Sequence, residues 1–160
     1  MSELKSLIQD KLNKESFSGN GSLKALVVCP TTLMFNWQNE IGKFTPTIKF
    51  YVHHGGQRSR ESLAANEADV IITTYGTLRS DIKQFVEVAF DYVVLDESQA
   101  IKNPSSKVTK AAGLLKAKNR LCLSGTPLQN NTFDIYAQET FRITLFVKLD
   151  TSVLKSNNNI

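Results

Sequence analysis

Cysteine is scarce in this chain: 160 residues carry two, Cys29 and Cys122. Each lies in a strand-like apolar run, ALVVCP and RLCLSG. Two such thiols make neither a disulfide framework nor a zinc site, so they read as reduced core residues of an intracellular protein. Histidine is equally scarce. His53 and His54 are adjacent and lack partner ligands, which argues against a metal there. No apolar run approaches the roughly 20 residues of a membrane span, so no membrane partner is expected. The amino terminus, MSELKSLIQDKLNKES, is charged throughout and lacks the apolar segment of a secretory signal.

Two further absences concern acid and glycine. Asp and Glu are missing from Ser98 to Phe133, while Lys102, Lys107, Lys110, Lys116, Lys118 and Arg120 all fall there. The chain's net charge is +4. The basic stretch fits either a solvated helix face or a phosphate-backbone footprint. The phosphate-cradling pattern G-x-x-x-x-G-K-[ST] does not occur. Gly42-Lys43 is followed by Phe44 inside a helix-like segment, and SFSGNGSLK has no Gly-Lys-Ser/Thr.

What is present is a regular alternation. The runs 25–30, 48–54, 69–75, 91–96 and 119–125 are short and rich in Val, Ile, Tyr and Phe, as strands are. Helix-like segments lie between them: TTLMFNWQNEIGKF, QRSRESLAANEA, TLRSDIKQFVEV and SSKVTKAAGLLKA. In the first, Leu33, Trp37, Ile41 and Phe44 share one stripe, Thr31 or Thr32 is available as N-cap, and Trp37 reads as a core residue. Such alternation predicts βαβ units, hence an α/β fold with a parallel sheet covered on both faces. Residues 1–22 read as a helix and flexible turn, 23–138 as the folded lobe, and 139–160 as a tail.

Three stretches carry candidate chemistry. In DYVVLDESQA an apolar run meets two adjacent carboxylates, Asp96 and Glu97. This is either a buried strand reaching water or an acidic site beyond a strand's carboxyl end, where one residue holds Mg²⁺ and its neighbour positions a water. In LSGTPLQNN, Ser124, Gly125 and Thr126 make a tight hydroxyl-bearing turn at another strand end. In VVCPTTLMFNWQNEIGKF a strand ends at Cys29-Pro30 and a helix opens on Thr31 and Thr32, a natural seat for phosphate oxygens.

These segments, with DVIITTYGTLRSD and LDESQAIKNPSSK, resemble in order and spacing the first motor lobe of SWI/SNF-type DNA translocases. That branch of the superfamily-two helicases has a RecA-like fold. The resemblance covers roughly residues 24–138. It implies a RecA-like three-layer sandwich with a mostly parallel sheet. It implies Asp96 as Mg²⁺ ligand, Glu97 as water-orienting carboxylate and Gln99 beside them, with Ser124, Gly125 and Thr126 coupling hydrolysis to DNA. Pro30, Thr31, Thr32, Thr74, Tyr75, Lys102 and Asn103 become candidates for a DNA-backbone track. His54, Gly55 and Arg58 resemble a family turn and read as a strand-end turn.

The sequence also departs from the family. Ser98-Gln99 stands where many relatives have Ala-His, and Gln99 cannot carry a charge. Ser124 stands where Thr is common. The phosphate loop with its strand, and the second RecA-like lobe with its arginine finger, are expected to be missing from the chain, leaving the lobe incomplete. ATP and Mg²⁺ belong to the intact motor, and none is expected bound to this chain. Duplex DNA is the expected partner, held weakly through its backbone without regard to sequence. After IYAQ, the segment ETFRITLFVKLDTSVLKSNNNI resembles nothing in the family, as in a frameshifted or truncated gene. Disorder or a stray helix is expected there ahead of a strand, although FRITLFVKL alternates like one and would then cover the exposed edge of the strand holding Leu121 and Leu123. Two rival functions stand beside the motor: a non-catalytic remnant that binds DNA or a partner, and the motor lobe of a restriction or repair enzyme.

Overall fold

The structure, a computed structural model, describes residues 23–56, 58, 62–101, 103–124 and 143–147, with Ser124 and 143–147 described by their backbone. The five apolar runs become strands β1 (Ala25–Cys29), β2 (Phe50–His53), β3 (Val70–Thr74), β4 (Ala89–Leu95) and β5 (Lys116–Ser124). A sixth, β6 (Ile143–Val147), comes from the tail. Every pairing is parallel, and the order is β2-β3-β1-β4-β5-β6. Parallel neighbours need crossover connections, and helices supply them. Helix α1 (Met34–Phe44) follows β1, the short helices α2 (Tyr75–Ser80) and α3 (Ile82–Phe85) follow β3, and α4 (Lys107–Leu114) joins β4 to β5.

All five residues of β1 and of β3 are buried, as expected of strands covered on both faces. The period-2 alternation of side chains then sorts them into two cores. Leu26, Val28, Ile71, Val93 and Leu95 pack with Leu78, Phe85, Ile101 and Ala112 on the face of α2, α3 and α4. Val27, Cys29, Ile72, Val94 and Leu123 pack with Met34, Trp37 and Ile41 on the face of α1. The result is the three-layer α/β sandwich that the alternation predicts.

Several local expectations are corrected. Thr31 and Thr32 do not cap α1; with Leu33 they form a 3-10 turn in front of it, and no side chain caps either element. The expected helix over 77–88 is two short helices. The break falls at Asp81, whose carboxylate is engaged by His53 and Arg58. Of the expected helix over 57–68, the described part holds only a 3-10 turn, Leu63–Ala65. In the tail, FRITLFVKL supplies β6 rather than disorder or a helix over 143–147. Leu121 stands opposite Thr144 and Leu123 opposite Phe146, so the outer edge of β5 is paired. Main-chain hydrogen bonds along β5 are the gain that disorder would forgo. The N-terminal helix over 1–22 and the rest of the tail lie outside the described residues.

Because the strands are parallel, their carboxyl ends share one edge. Cys29 pairs with Thr74, Val28 with Leu95, and Leu95 with Cys122. That register brings Pro30, Tyr75, Asp96 and Ser124 to the same end of the sheet. Lys24, Asp91, Lys116 and Lys118 lie at the opposite end.

Candidate functional site

Asp96 is the first residue beyond β4. Its N–H still donates to the Val28 carbonyl, 2.8 Å away, which holds it against the end of β1. Its side chain is buried, with the residue 2% exposed. A buried carboxylate must be hydrogen-bonded to be tolerated. Oδ2 accepts from Trp37 Nε1 at 2.8 Å, and Oδ1 accepts from the Glu97 N–H at 2.8 Å. The Tyr75 hydroxyl donates to the Asp96 main-chain carbonyl at 2.6 Å. Residues from α1 and the start of α2 thus converge on one residue at the end of β4.

Glu97 is built differently. Its φ is +50°, the left-handed region that a non-glycine residue seldom occupies. The chain turns there into a 3-10 turn, Ser98–Ile101. Glu97 is half-buried, and Gln99 Nε2 donates to its Oε2 at 2.5 Å. Adjacent carboxylates therefore sit in unlike environments, one enclosed and fixed, the other open toward solvent. This is the division of labour wanted of a cation-holding acid beside a water-orienting one.

The other sequence-predicted residues divide. Pro30, Thr31 and Thr32 lie at the shared strand end, and both threonines are exposed. Asn103 is exposed, and its Oδ1 accepts from the Ser105 N–H at 3.0 Å, closing a local turn. Thr74 and Tyr75 turn inward. Thr74 Oγ1 accepts from the Thr77 N–H at the start of α2, and the buried Tyr75 hydroxyl is raised well above its ordinary pKa, chiefly by burial. The Thr74 hydroxyl is engaged in capping α2 and the Tyr75 hydroxyl in holding the Asp96 carbonyl. Ser124 closes β5 two residues past Cys122, the partner of Leu95. Lys102, Gly125 and Thr126 lie outside the described residues.

The turn after β2 is a structural knot. Gly55 has φ +84°, and the Arg58 guanidinium donates to its carbonyl at 2.6 Å. Arg58 also grips Asp81 through Nε at 2.5 Å and Nη2 at 3.0 Å, while His53 Nε2 lies 2.8 Å from the same carboxylate. The Arg58 hydrogen bond holds the Asp81 carboxyl below the usual carboxylate range. The strand-end role expected of Gly55 and Arg58 agrees with this geometry.

The basic stretch is partly consumed by the fold. Arg120 donates to the Ala112 carbonyl at 2.9 Å and to the Leu115 carbonyl, closing the C-terminal end of α4. Lys118 pairs with Asp91 at 2.7 Å, at the end of the sheet away from Asp96. Lys107 and Lys110 are exposed on α4. Among the described residues no group of three or more His, Cys, Asp or Glu side chains is placed to hold a metal, and no helix is long and apolar enough to cross a membrane.

Trp37 is the residue that sequence reasoning missed. It does pack against the α1-face core as its stripe position predicts, yet its N–H is spent on Asp96. The available signal was chemical: an enclosed indole N–H needs an acceptor, and the helix stripe says nothing about which.

A family model described as SNF2-related domain matches residues 3–149. TATA-binding protein-associated factor mot1 of Schizosaccharomyces pombe is 36% identical over 146 residues, 86% of this chain and 8% of its own length. DNA repair protein RAD5A of Arabidopsis thaliana is 38% identical, covering 79% of this chain and 13% of its own length. An ATP-dependent helicase of Mycoplasma pneumoniae is 37% identical over 127 residues. The chain therefore spans a small part of the relatives that it matches. The Sulfolobus solfataricus SWI2/SNF2 ATPase core in complex with dsDNA superposes with a TM-score of 0.68 at 30% identity, covering 91% of this chain and 37% of that one. A second structure, the Sulfolobus solfataricus SWI2/SNF2 ATPase core domain, gives a TM-score of 0.63 at 37% identity, covering 82% of this chain and 26% of that one. The sheet order, the acidic strand end and these matches agree: the chain belongs to the SNF2-related domain family and has the RecA-like fold of its ATPase core.

Proposed function

We infer that residues 23–124 form part of the first motor lobe of an ATP-dependent DNA translocase, which couples ATP hydrolysis to movement along duplex DNA. The single observation that carries this reading is the pair Asp96–Glu97: a fixed, enclosed carboxylate and an open one, side by side at the carboxyl end of a parallel sheet. Asp96 suits a hard cation with oxygen ligands. A carboxylate has about four acceptor sites, so it can accept hydrogen bonds such as those from Trp37 and Glu97 while serving a cation. One carboxylate makes a weak cation site, which water completes for a bare ion at high concentration and a nucleotide's phosphates complete in the intact motor. ATP·Mg²⁺, when bound, supplies the phosphoryl group to be transferred to water. Asp96 then holds charge in place, Glu97 orients the water, and Gln99 keeps the Glu97 carboxylate aimed.

The DNA side of the reading rests on Thr31 and Thr32 in an exposed turn, Asn103, and the lysines 102, 107 and 110. Their contacts would be to phosphates, sequence-independent and weak. Thr74 and Tyr75 act from behind, by capping α2 and holding Asp96. Ser124 to Thr126 would join the two sides. Without a G-x-x-x-x-G-K-[ST] in its 160 residues, the chain alone is expected to hydrolyse no ATP.

The test is a chimera in which residues 23–124 replace their counterpart in the Sulfolobus solfataricus core. DNA-stimulated ATP hydrolysis that Glu97→Gln abolishes is expected. Hydrolysis that Glu97→Gln leaves unchanged would refute the assignment.

A further inference from the structure

Trp37 is the one tryptophan of the chain. It is half-buried on α1, and its Nε1 lies 2.8 Å from Asp96 Oδ2. We propose that Trp37 is a positioning residue, whose indole N–H fixes the rotation of the Asp96 carboxylate and so lets α1 set which face of that carboxylate the site presents. The inference rests on the reading of Asp96 as the cation-holding group.

The geometry supports it in three ways. The terminal torsion of an aspartate is broad, so a carboxylate keeps rotational freedom unless both oxygens are held. Here the two are held by different parts of the fold, Oδ1 by the Glu97 N–H at 2.8 Å and Oδ2 by Trp37. The Asp96 backbone is separately fixed, through its N–H on Val28 and its carbonyl on Tyr75. The indole bond is thus not needed to place the main chain, and its effect falls on the side chain. Finally, α1 starts directly after the exposed Thr31–Leu33 turn. From Met34, where α1 begins against that turn, to Trp37 is three residues, about 4.5 Å of helix rise, so a shift of the turn is carried to the indole by a stiff element. A ligand on the threonines and a cation on Asp96 are then mechanically linked through one N–H.

The experiment uses the full chain and its single indole N–H resonance, which Trp37→Phe identifies by removing it. The resonance is expected to exchange slowly with solvent and to move when Asp96 is changed to Ala. Mn²⁺ alone is then titrated, and paramagnetic broadening is read at the Glu97 and Ser98 amides. Broadening is expected in the wild type and lost in Asp96→Ala. Trp37→Phe keeps the ring packing and removes the donor, and at least about a tenfold higher Mn²⁺ concentration is expected for the same broadening. If Trp37→Phe matches wild type while Asp96→Ala has lost the effect, the inference is overturned and the reading of Asp96 survives. If Asp96→Ala broadens as wild type does, or the wild type does not broaden, the reading of Asp96 fails and the inference with it. An indole resonance unmoved by Asp96→Ala overturns the inference by itself, whether or not Trp37→Phe folds.

Discussion

Replacing Glu97 by glycine should stabilise the fold even though it removes a site carboxylate. Glu97 holds φ at +50°, in the left-handed region. For an L-residue that conformation costs roughly 1–2 kcal/mol, because Cβ crowds the following carbonyl. Glycine escapes the crowding but loses more chain entropy on folding, roughly 0.5–1 kcal/mol relative to alanine. The difference favours glycine by about 0.5–1 kcal/mol. The side chain's own contribution is a hydrogen bond from the exposed Gln99, worth little in water. Alanine is the control, since it also removes that bond but keeps Cβ. Glu97→Gly is therefore expected to melt above Glu97→Ala by about 2–3 °C for a domain of this size. Urea unfolding of the two variants, followed by far-UV dichroism, measures the difference directly. Equal midpoints, or alanine above glycine, would mean that Glu97 stores no backbone strain.

Arg120→Ala should destabilise by about 2 kcal/mol, because the Ala112 carbonyl in the last turn of α4 and the Leu115 carbonyl just beyond it lose a charged donor; its salt-dependent DNA affinity should match wild type, and a selective loss of DNA binding would return Arg120 to the phosphate footprint. The Cys122 thiol is pushed up to about 12 by burial, so at pH 8 it should resist a thiol reagent until the chain unfolds. The raised value also sets a sign: the stability it confers is whole below about pH 8.5, the ordinary thiol value, and declines as pH climbs toward about 12. Cys122→Ala should flatten that alkaline decline, and an unchanged slope would exclude the thiol as its source. Asp81 behaves oppositely: its carboxyl is lowered, first by Arg58, so its contribution is present above the unfolded value of about 3.9 and is lost as pH falls through the folded one. Asp81→Asn should lower stability at neutral pH and weaken its acid dependence, as read from denaturant midpoints between pH 3 and 7.

Strands and acidic edge were legible because both are local in sequence. Continuous runs such as Tyr92–Leu95 and Val70–Thr74 announce burial on both faces, and parallel pairing then forces every strand end to one side. That alone brings Pro30, Asp96 and Ser124 together. What was not legible depends on partners far along the chain. Thr74 and Tyr75 look like surface hydroxyls after a strand; only the packing of α2 against Asp96 shows that they face inward. Arg120 looks like one more phosphate contact until α4 ends beside it. Trp37 lies 59 residues from its acceptor, and no period in the sequence encodes that distance. The alternation over 143–147 offered a strand and named its seat beside Leu121 and Leu123, but disorder or a helix was expected ahead of it, because the pairing that stabilises the strand lies in β5 and not in the tail.

The central claim is that the carboxyl edge of the sheet, and not its opposite end, meets duplex DNA. Amide resonances of the chain, recorded with duplex DNA of two unrelated sequences at low and at high salt, test it most directly. The account predicts shifts at residues 31–33 and 103–110 that are alike for both sequences. Their apparent affinity should fall with salt at a log–log slope of about −0.9 per phosphate contacted. Shifts centred on Lys116 and Lys118, or binding indifferent to salt, would contradict it.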